Sequence, residues 1–225
     1  MYEFDLAGLL SYVEPLPRAM VMTLWLSLLA IFLAIAIGLV GALCRTSKSV
    51  ALRFVGAAYV EVLRNIPLLV VIYLIYFGLA QIGLRVDGFN SALLALALNA
   101  GAYMTEIFRG GLVAIPRGQY EAGRSQGMTA IQLYRFVVFP QMFRIIYAPL
   151  GNLVIGVVIG SSLASVIGVE EVTTWMRRAG DGTFRYLEAF FATGVLYLIL
   201  AQAINLGRLL TGRWLLSKAP IGGGR

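Results

Sequence analysis

"MVMTLWLSLLAIFLAIAIGLVGAL", residues 20–43, carries no charge, and Thr23 and Ser27 are its only hydroxyl groups. A helix of about 20 apolar residues crosses the hydrocarbon core of a bilayer. This stretch meets that length, so the fold class is an all-α integral membrane protein. The rest of the chain agrees. It has 225 residues, 60% hydrophobic and 13% charged, with a mean hydropathy of +0.84. A soluble domain carries roughly 25% charged residues.

Working outward, four more apolar stretches have spanning length: 52–79, 90–113, 145–169 and 186–210. Five transmembrane helices are therefore expected in one domain over 20–215. Residues 1–19 precede it as an outer segment, and 216–225 follow as a tail. The positive-inside rule orients them. One side holds Arg45, Lys48, Arg53, Arg64, Arg109, Arg117, Arg124, Arg135, Arg144, Arg208, Arg213, Lys218 and Arg225; the other holds Arg18, Arg85, Arg177, Arg178 and Arg185. The acids run the opposite way, with only Glu61, Glu106 and Glu121 on the basic side. The N-terminus is thus expected outside (periplasmic), the C-terminus in the cytoplasm, and the 116–140 loop in the cytoplasm.

Composition excludes several functions. There is no histidine and one cysteine, Cys44. No disulfide can form within the chain, and neither a metal centre nor a nucleophile–base–acid set is apparent. No cofactor motif is present. A net charge of +7 could suggest nucleic acid, but the basic residues are scattered singly between apolar runs. The acidic start (Glu3, Asp5, Glu14) is unlike a secretory signal, and the bulky Leu43 before Cys44 argues against lipoprotein processing. No G-x-x-x-x-G-K-[ST] loop occurs, so the chain does not cradle ATP phosphates by that route.

Several polar residues fall inside the spans. Glu61 and Arg64 are three apart, as are Glu106 and Arg109, which places each pair on one helix face. They read either as structural ion pairs or as a gate. Asn99 and Tyr103 lie nearer mid-membrane, where a polar group binds solute or meets a neighbouring helix. Ser161 and Ser162 offer hydroxyls at similar depth. Gly156-x-x-x-Gly160 is a spacing that lets helices approach closely. Pro67 predicts a kink and a freed carbonyl in the second span.

The loop "YEAGRSQGMTAIQLYRFVVFP", 120–140, is too polar to span. Pro116 suits a helix start, Gly127 a helix end, Thr129 and Gln132 a capping box that restarts a helix, and Pro140 its limit. Two short helices are expected. They read as an interfacial loop or as a docking element.

The same stretch resembles the Glu-Ala-Ala loop of permease subunits of ATP-binding-cassette importers. Glu121, Ala122 and Gly123, then Gly127, then Val137, Phe139 and Pro140 keep its spacing throughout, with Gly for the second Ala, Val for Ile and Phe for Leu. "YVEVLRNIPLLVVIYLIYFGL" (59–79), "NAGAYMTEIFRGGLVAIPRGQYEAGRSQGM" (99–128) and "SLASVIGVEEVT" (162–173) are similar to the polar amino-acid branch, whose substrates include His, Glu, Gln, Arg and opines. The resemblance covers nearly the whole chain.

It implies a type I importer fold with coupling helices between spans three and four. Glu121, Ala122, Gly123, Arg124 and Gly127 would contact a cytoplasmic ATPase. It further implies two ATPase copies, a second permease chain (homo- or heterodimer) and an external solute-binding protein that delivers an amino acid. Asn99, Tyr103, Ser161 and Ser162 are the expected substrate path. The 170–185 stretch, with both charges and Trp175, reads as a solvated cap or as a contact for the binding protein. One departure stands out: relatives carry a charged or strongly polar pair where this chain has Ile159 and Gly160. Either a partner chain holds the amino acid, or the site suits a different side chain. Alternatives are a permease for another small solute, such as methionine or an opine, and an ion-coupled carrier. The carrier fits poorly, because no internal repeat or mid-membrane carboxylate is seen.

Overall fold

The computed structural model describes residues 4–217, and every regular element among them is helical. In chain order these are α1 (Leu16–Thr46), α2 (Val50–Asn65) and α3 (Leu68–Gln81), then α4 (Gly88–Val113), α5 (Arg117–Ser125) and α6 (Ala130–Ile167), then α7 (Val172–Thr183) and α8 (Tyr186–Ser217). Four helices are long and apolar enough to cross a membrane, and a fifth crossing results if the α2–α3 pair forms one span. The last residues of the tail and the first three residues lie outside the described part.

The central packing is between α1 and α4. Lipid tails are as apolar as leucine, so helices in a bilayer associate through close packing of small residues. Ala30, Ala34, Gly38 and Gly41 of α1 are buried against Ala92, Ala95, Ala100 and Gly101 of α4. A side chain at Gly38 would overlap Met104, one at Gly41 would overlap Thr105, and one at Gly101 would overlap Ile37 and the Tyr59 hydroxyl. The close seam lies here and not at Gly156-x-x-x-Gly160, where Gly156 faces open space and Gly160 meets only the side chains of Leu68 and Leu96.

The second predicted span is broken, not kinked. Ile66 and Pro67 separate α2 from α3, whose axes differ by 107°. Pro67 has no N–H for the Leu63 carbonyl four residues back. The Asn99 side-chain amide supplies the missing donor at 2.8 Å. Tyr59, also on α2, donates to the Leu98 carbonyl at 2.7 Å. These two bonds tie the end of α2, just before the break, to the middle of α4.

The fourth predicted span starts earlier than hydropathy suggests. Pro140 does not end the preceding helix, because α6 runs on through it from Ala130 to Ile167. The turn over Tyr134–Val138 is a wide π turn. A proline ring clashes with the carbonyl four residues back in a regular α turn, and the wider turn relieves that clash. Pro149 lies farther along the same helix.

The caps read from sequence are present. At the end of α5, Gly127 adopts φ +75°. Its N–H donates to the Arg124 carbonyl at 3.0 Å, and that of Met128 to the Gly123 carbonyl at 3.1 Å. This pair of bonds is a Schellman closure, which favours glycine for its left-handed backbone. Thr129 and Gln132 form the reciprocal capping box that opens α6. Leu133, Ile115 and Val138 make a small buried core beneath the loop, with Met128 and Tyr120 packed on it. Gly123 is buried against this core, and a methyl there would run into Leu133 Cδ1.

Four outcomes follow. Gly101→Val overfills the α1–α4 seam and is expected to cost about 1–3 kcal/mol, lowering the thermal midpoint in detergent. Gly207→Ala, with open space around it, is expected to leave the midpoint unchanged or raise it. Gly123→Ala should loosen the loop despite alanine's better helix propensity, raising hydrogen exchange across α5. Adding Leu133→Val should recover part of that loss, a non-additive result expected of touching side chains.

Candidate functional site

A cavity of about 400 Å³ opens among α3, α4 and α6. Its walls are Leu68 from α3, Leu96, Asn99, Ala100, Tyr103 and Ile107 from α4, and Pro149, Asn152, Leu153, Gly156 and Val157 from α6. The spacing explains the face: 96, 99, 100, 103 and 107 recur at helical period, as do 149, 152, 153, 156 and 157. Proline and glycine on the α6 side leave room that larger side chains would fill.

The lining has no acid and no base. Its polar groups are two carboxamides and a phenol, from Asn99, Asn152 and Tyr103. The Asn99 amide donates to Leu63, which leaves its side-chain oxygen toward other partners. The Asn152 side chain makes no hydrogen bond to any described residue, and it is exposed to the opening. The Arg64 guanidinium lies 5.0 Å from the Tyr103 ring centroid, a cation–π contact at the cavity's edge. The site therefore suits a small, partly polar solute held by neutral hydrogen-bonding groups.

Ser161 and Ser162 do not line this cavity. Ser161 is fully buried and donates to the Val158 carbonyl at 2.7 Å, and the Ser162 carbonyl accepts from Ser165 at 2.8 Å. They open the tight 3₁₀ turn at the end of α6. Asn152 was the residue not singled out from sequence. An amide four residues before Gly156 in an apolar run was the available signal.

The Glu61–Arg64 pair expected from spacing does not form. The Glu61 carboxylate accepts from the Asn65 side chain at 3.0 Å, and Arg64 turns to Tyr103. The Asn65 side chain also reaches the Glu61 carbonyl at 2.8 Å, so it outcompetes a guanidinium that has an aromatic face within reach. The Glu106–Arg109 pair does form, at 2.7 Å, and Arg45 of α1 joins it at 3.1 Å. One carboxylate thus bridges two cations and clips α1 to the end of α4.

At the same end of the bundle, α5 presents Glu121, Ala122 and Arg124 outward, all exposed, while Gly123 faces the buried Leu133. Gln141 of α6 reaches the Gln119 side chain at 3.1 Å. The short helix is thus fixed to the start of α6 by a shared core and a side-chain bond. Its outward face is a candidate docking surface.

The opposite end holds two fully buried acids, Glu171 and Glu188. Glu171 caps α7 by accepting from the Thr174 N–H at 2.9 Å and receives the Tyr197 hydroxyl at 2.6 Å. Burial pushes its carboxyl above the ordinary range, against the pull of those bonds. Glu188 bonds Arg185 at 3.1 Å and accepts the Asp5 N–H at 3.1 Å. A glutamate directly before a Val-Thr-Thr helix start was a legible cap signal; its burial under α8 was not.

Comparison with known proteins fits this geometry. Residues 28–211 match the family described as binding-protein-dependent transport system inner membrane component. The glutamine transport system permease protein of Escherichia coli (strain K12) is 34% identical over 205 residues, covering 90% of this chain and 94% of the relative. The nopaline transport system permease protein of Agrobacterium fabrum (strain C58 / ATCC 33970) is 34% identical, with 90% of each covered. A crystal structure of an amino acid ABC transporter with histidines superposes with a TM-score of 0.88 at 34% identity, covering 94% of this chain and 99% of that one. An inward-facing methionine ABC transporter shares the fold, with a TM-score of 0.75 at 23% identity. This chain is a multi-pass inner-membrane protein and belongs to the family of binding-protein-dependent transport system inner membrane components.

Proposed function

We propose that the chain is the membrane-spanning subunit of an ATP-driven amino-acid importer, and that the α3–α4–α6 cavity is its solute path. The observation that carries this reading is the continuity of α6. One helix begins in the α5-linked loop, at Ala130, and ends beyond the cavity wall, at Ile167. From Leu133 under Gly123 to Asn152 in the cavity is roughly 28 Å at a rise of 1.5 Å per residue. A shift imposed on α5 by a docked ATPase therefore reaches the solute through one rod.

In this reading the N-terminus faces the periplasm and the Glu121 loop the cytoplasm, as the basic residues favour. Glu121, Ala122 and Arg124 enter the ATPase, while Gly123 and Gly127 shape the helix that bears them. Two permease chains pair, each with one ATPase, and a binding protein delivers solute outside. Closure of the ATPases moves the paired loops together and opens the path outward, a rigid-body switch. Asn99, Tyr103 and Asn152 hold the solute; Ser161 and Ser162 act indirectly by setting the turn after α6. The Arg45–Glu106–Arg109 cluster holds α1 and α4 together, and Arg64 guards the cavity edge.

The substrate class follows from the lining. Gly160 sits beside Leu68 and Leu96, both of which face the cavity. A charged residue there would bring its charge to the wall; glycine brings none. The path accordingly favours an amino acid whose side chain is uncharged.

For docking, a Glu121→Lys, Gly127→Arg double variant is expected to insert normally yet lose its ATPase on co-purification and lose transport. Unchanged retention and uptake by that variant would refute docking through α5. For the path, Asn152→Leu should raise the KM for uptake about fivefold, the worth of one net hydrogen bond, with ATPase retention intact. An unaltered KM in both Asn152→Leu and Tyr103→Phe would place the solute elsewhere.

A further inference from the structure

A second cavity of about 400 Å³ lies outside the solute path, between the faces of α1 and α2. It is lined by Val40, Gly41, Cys44, Val55, Gly56 and Tyr59, with Ala36 and Ile37 at its far end. Tyr59 turns its hydroxyl inward to the Leu98 carbonyl, so only its ring faces the groove. Val40 and Val55 are 61% and 62% exposed on the two rims. Lacking free main-chain groups or unbonded polar side chains, the wall gives a peptide strand nothing to bond. It gives an acyl chain a continuous apolar bed.

The groove ends beneath a cluster of cations. The Arg45 stem packs beside Gly56, at the groove's edge. Lys48 follows on the α1–α2 turn, and Arg53 donates to the Ser47 and Lys48 carbonyls at 2.9 Å each, bracing that turn. Among the described residues the one carboxylate paired in this cluster is Glu106, and Arg109 shares it with Arg45. Lys48 and Arg53 are exposed, and among the described residues neither has an acidic partner within ion-pair distance. An apolar slot running along a membrane-spanning helix into an excess of positive charge matches one amphiphile, with an apolar tail below and an anion above.

We propose that this groove is a binding site for an anionic phospholipid, one acyl chain lying against Val40, Val55 and Tyr59 and the phosphate resting on Lys48 and Arg53. The site depends only on the chain's membrane placement and is independent of the solute path. A chain held between α1 and α2 would brace α2 on the side away from its bond to Asn99.

Cys44 is the chain's one cysteine and lies in the groove wall, so it reports occupancy directly. The purified full-length chain in detergent is treated with N-ethylmaleimide, and alkylation is followed by intact mass, with dioleoyl phosphatidylglycerol or dioleoyl phosphatidylcholine added at equal mole fraction. Phosphatidylglycerol is expected to slow alkylation at least about fivefold more than phosphatidylcholine, the effect of a single well-placed basic residue near a lipid phosphate. Inorganic phosphate alone should have no effect. Lys48→Gln should reduce the difference between the two lipids, and Val55→Trp should abolish protection by filling the slot. Equal protection by both lipids, protection that survives Val55→Trp, or protection by phosphate alone overturns the proposal. Native mass spectrometry of the unmodified chain gives a second reading that needs no variant. A phosphatidylglycerol adduct should outlast a phosphatidylcholine adduct under collisional activation, and equal loss of the two counts against the site.

Discussion

The carbonyl of Leu63 loses its helical donor to Pro67, and in a bilayer such a group must be met from within the protein. Asn99 meets it. That single bond fixes much else. It lets the chain turn by 107° at Ile66–Pro67 and sends α3 across the bundle, so that Leu68 forms a wall of the cavity shared with α4 and α6. It also holds Asn99 at mid-height on α4, with its oxygen left toward the space that Asn152 faces from α6. A polar residue in the membrane here serves the backbone of one helix and the chemistry of a cavity together.

Much of this was legible in the sequence because the signals are local. Apolar length marked the crossings. Gly127, Thr129 and Gln132 occupy the turn and cap positions their chemistry demands, and Glu106 and Arg109 pair as their spacing allows. What was not legible depends on which neighbour a residue meets. Glu61 and Arg64 have the spacing of a pair, yet Asn65 and Tyr103 take them separately. Pro140 reads as a stop but is absorbed by a wide turn. The Gly156–Gly160 repeat promises a helix crossing, whereas the crossing occurs at Gly38, Gly41 and Gly101, which a hydropathy profile does not distinguish from other small residues.

The two ends of the molecule are held by different means. At the end bearing the Glu121 loop, Glu106 bridges Arg45 and Arg109, and charged groups remain partly wetted. At the other end, Glu171 and Glu188 are fully buried, and their oxygens are taken up by backbone N–H groups, a tyrosine and an arginine. An acid withdrawn from water becomes costly to leave unpaired, which ties α7 and α8 firmly to the start of the chain. The α3–α4–α6 cavity lies between a partly wetted cluster of charges and a sealed polar core.

The contact between Gly123 and Leu133 has a consequence for how this loop can change over time. In the resembled motif the position of Gly123 is alanine, and here the missing methyl is the space into which Leu133 Cδ1 projects. Leu133 is held on its other sides by Ile115 and Val138, so it has little room to swing away. The two positions are therefore sterically coupled. A descendant that regains alanine at 123 has an easier path if residue 133 shrinks first. The reverse order passes through an overfilled loop, and selection acting on the docking face would see that intermediate as a defect in the partner's grip rather than in this chain's own fold.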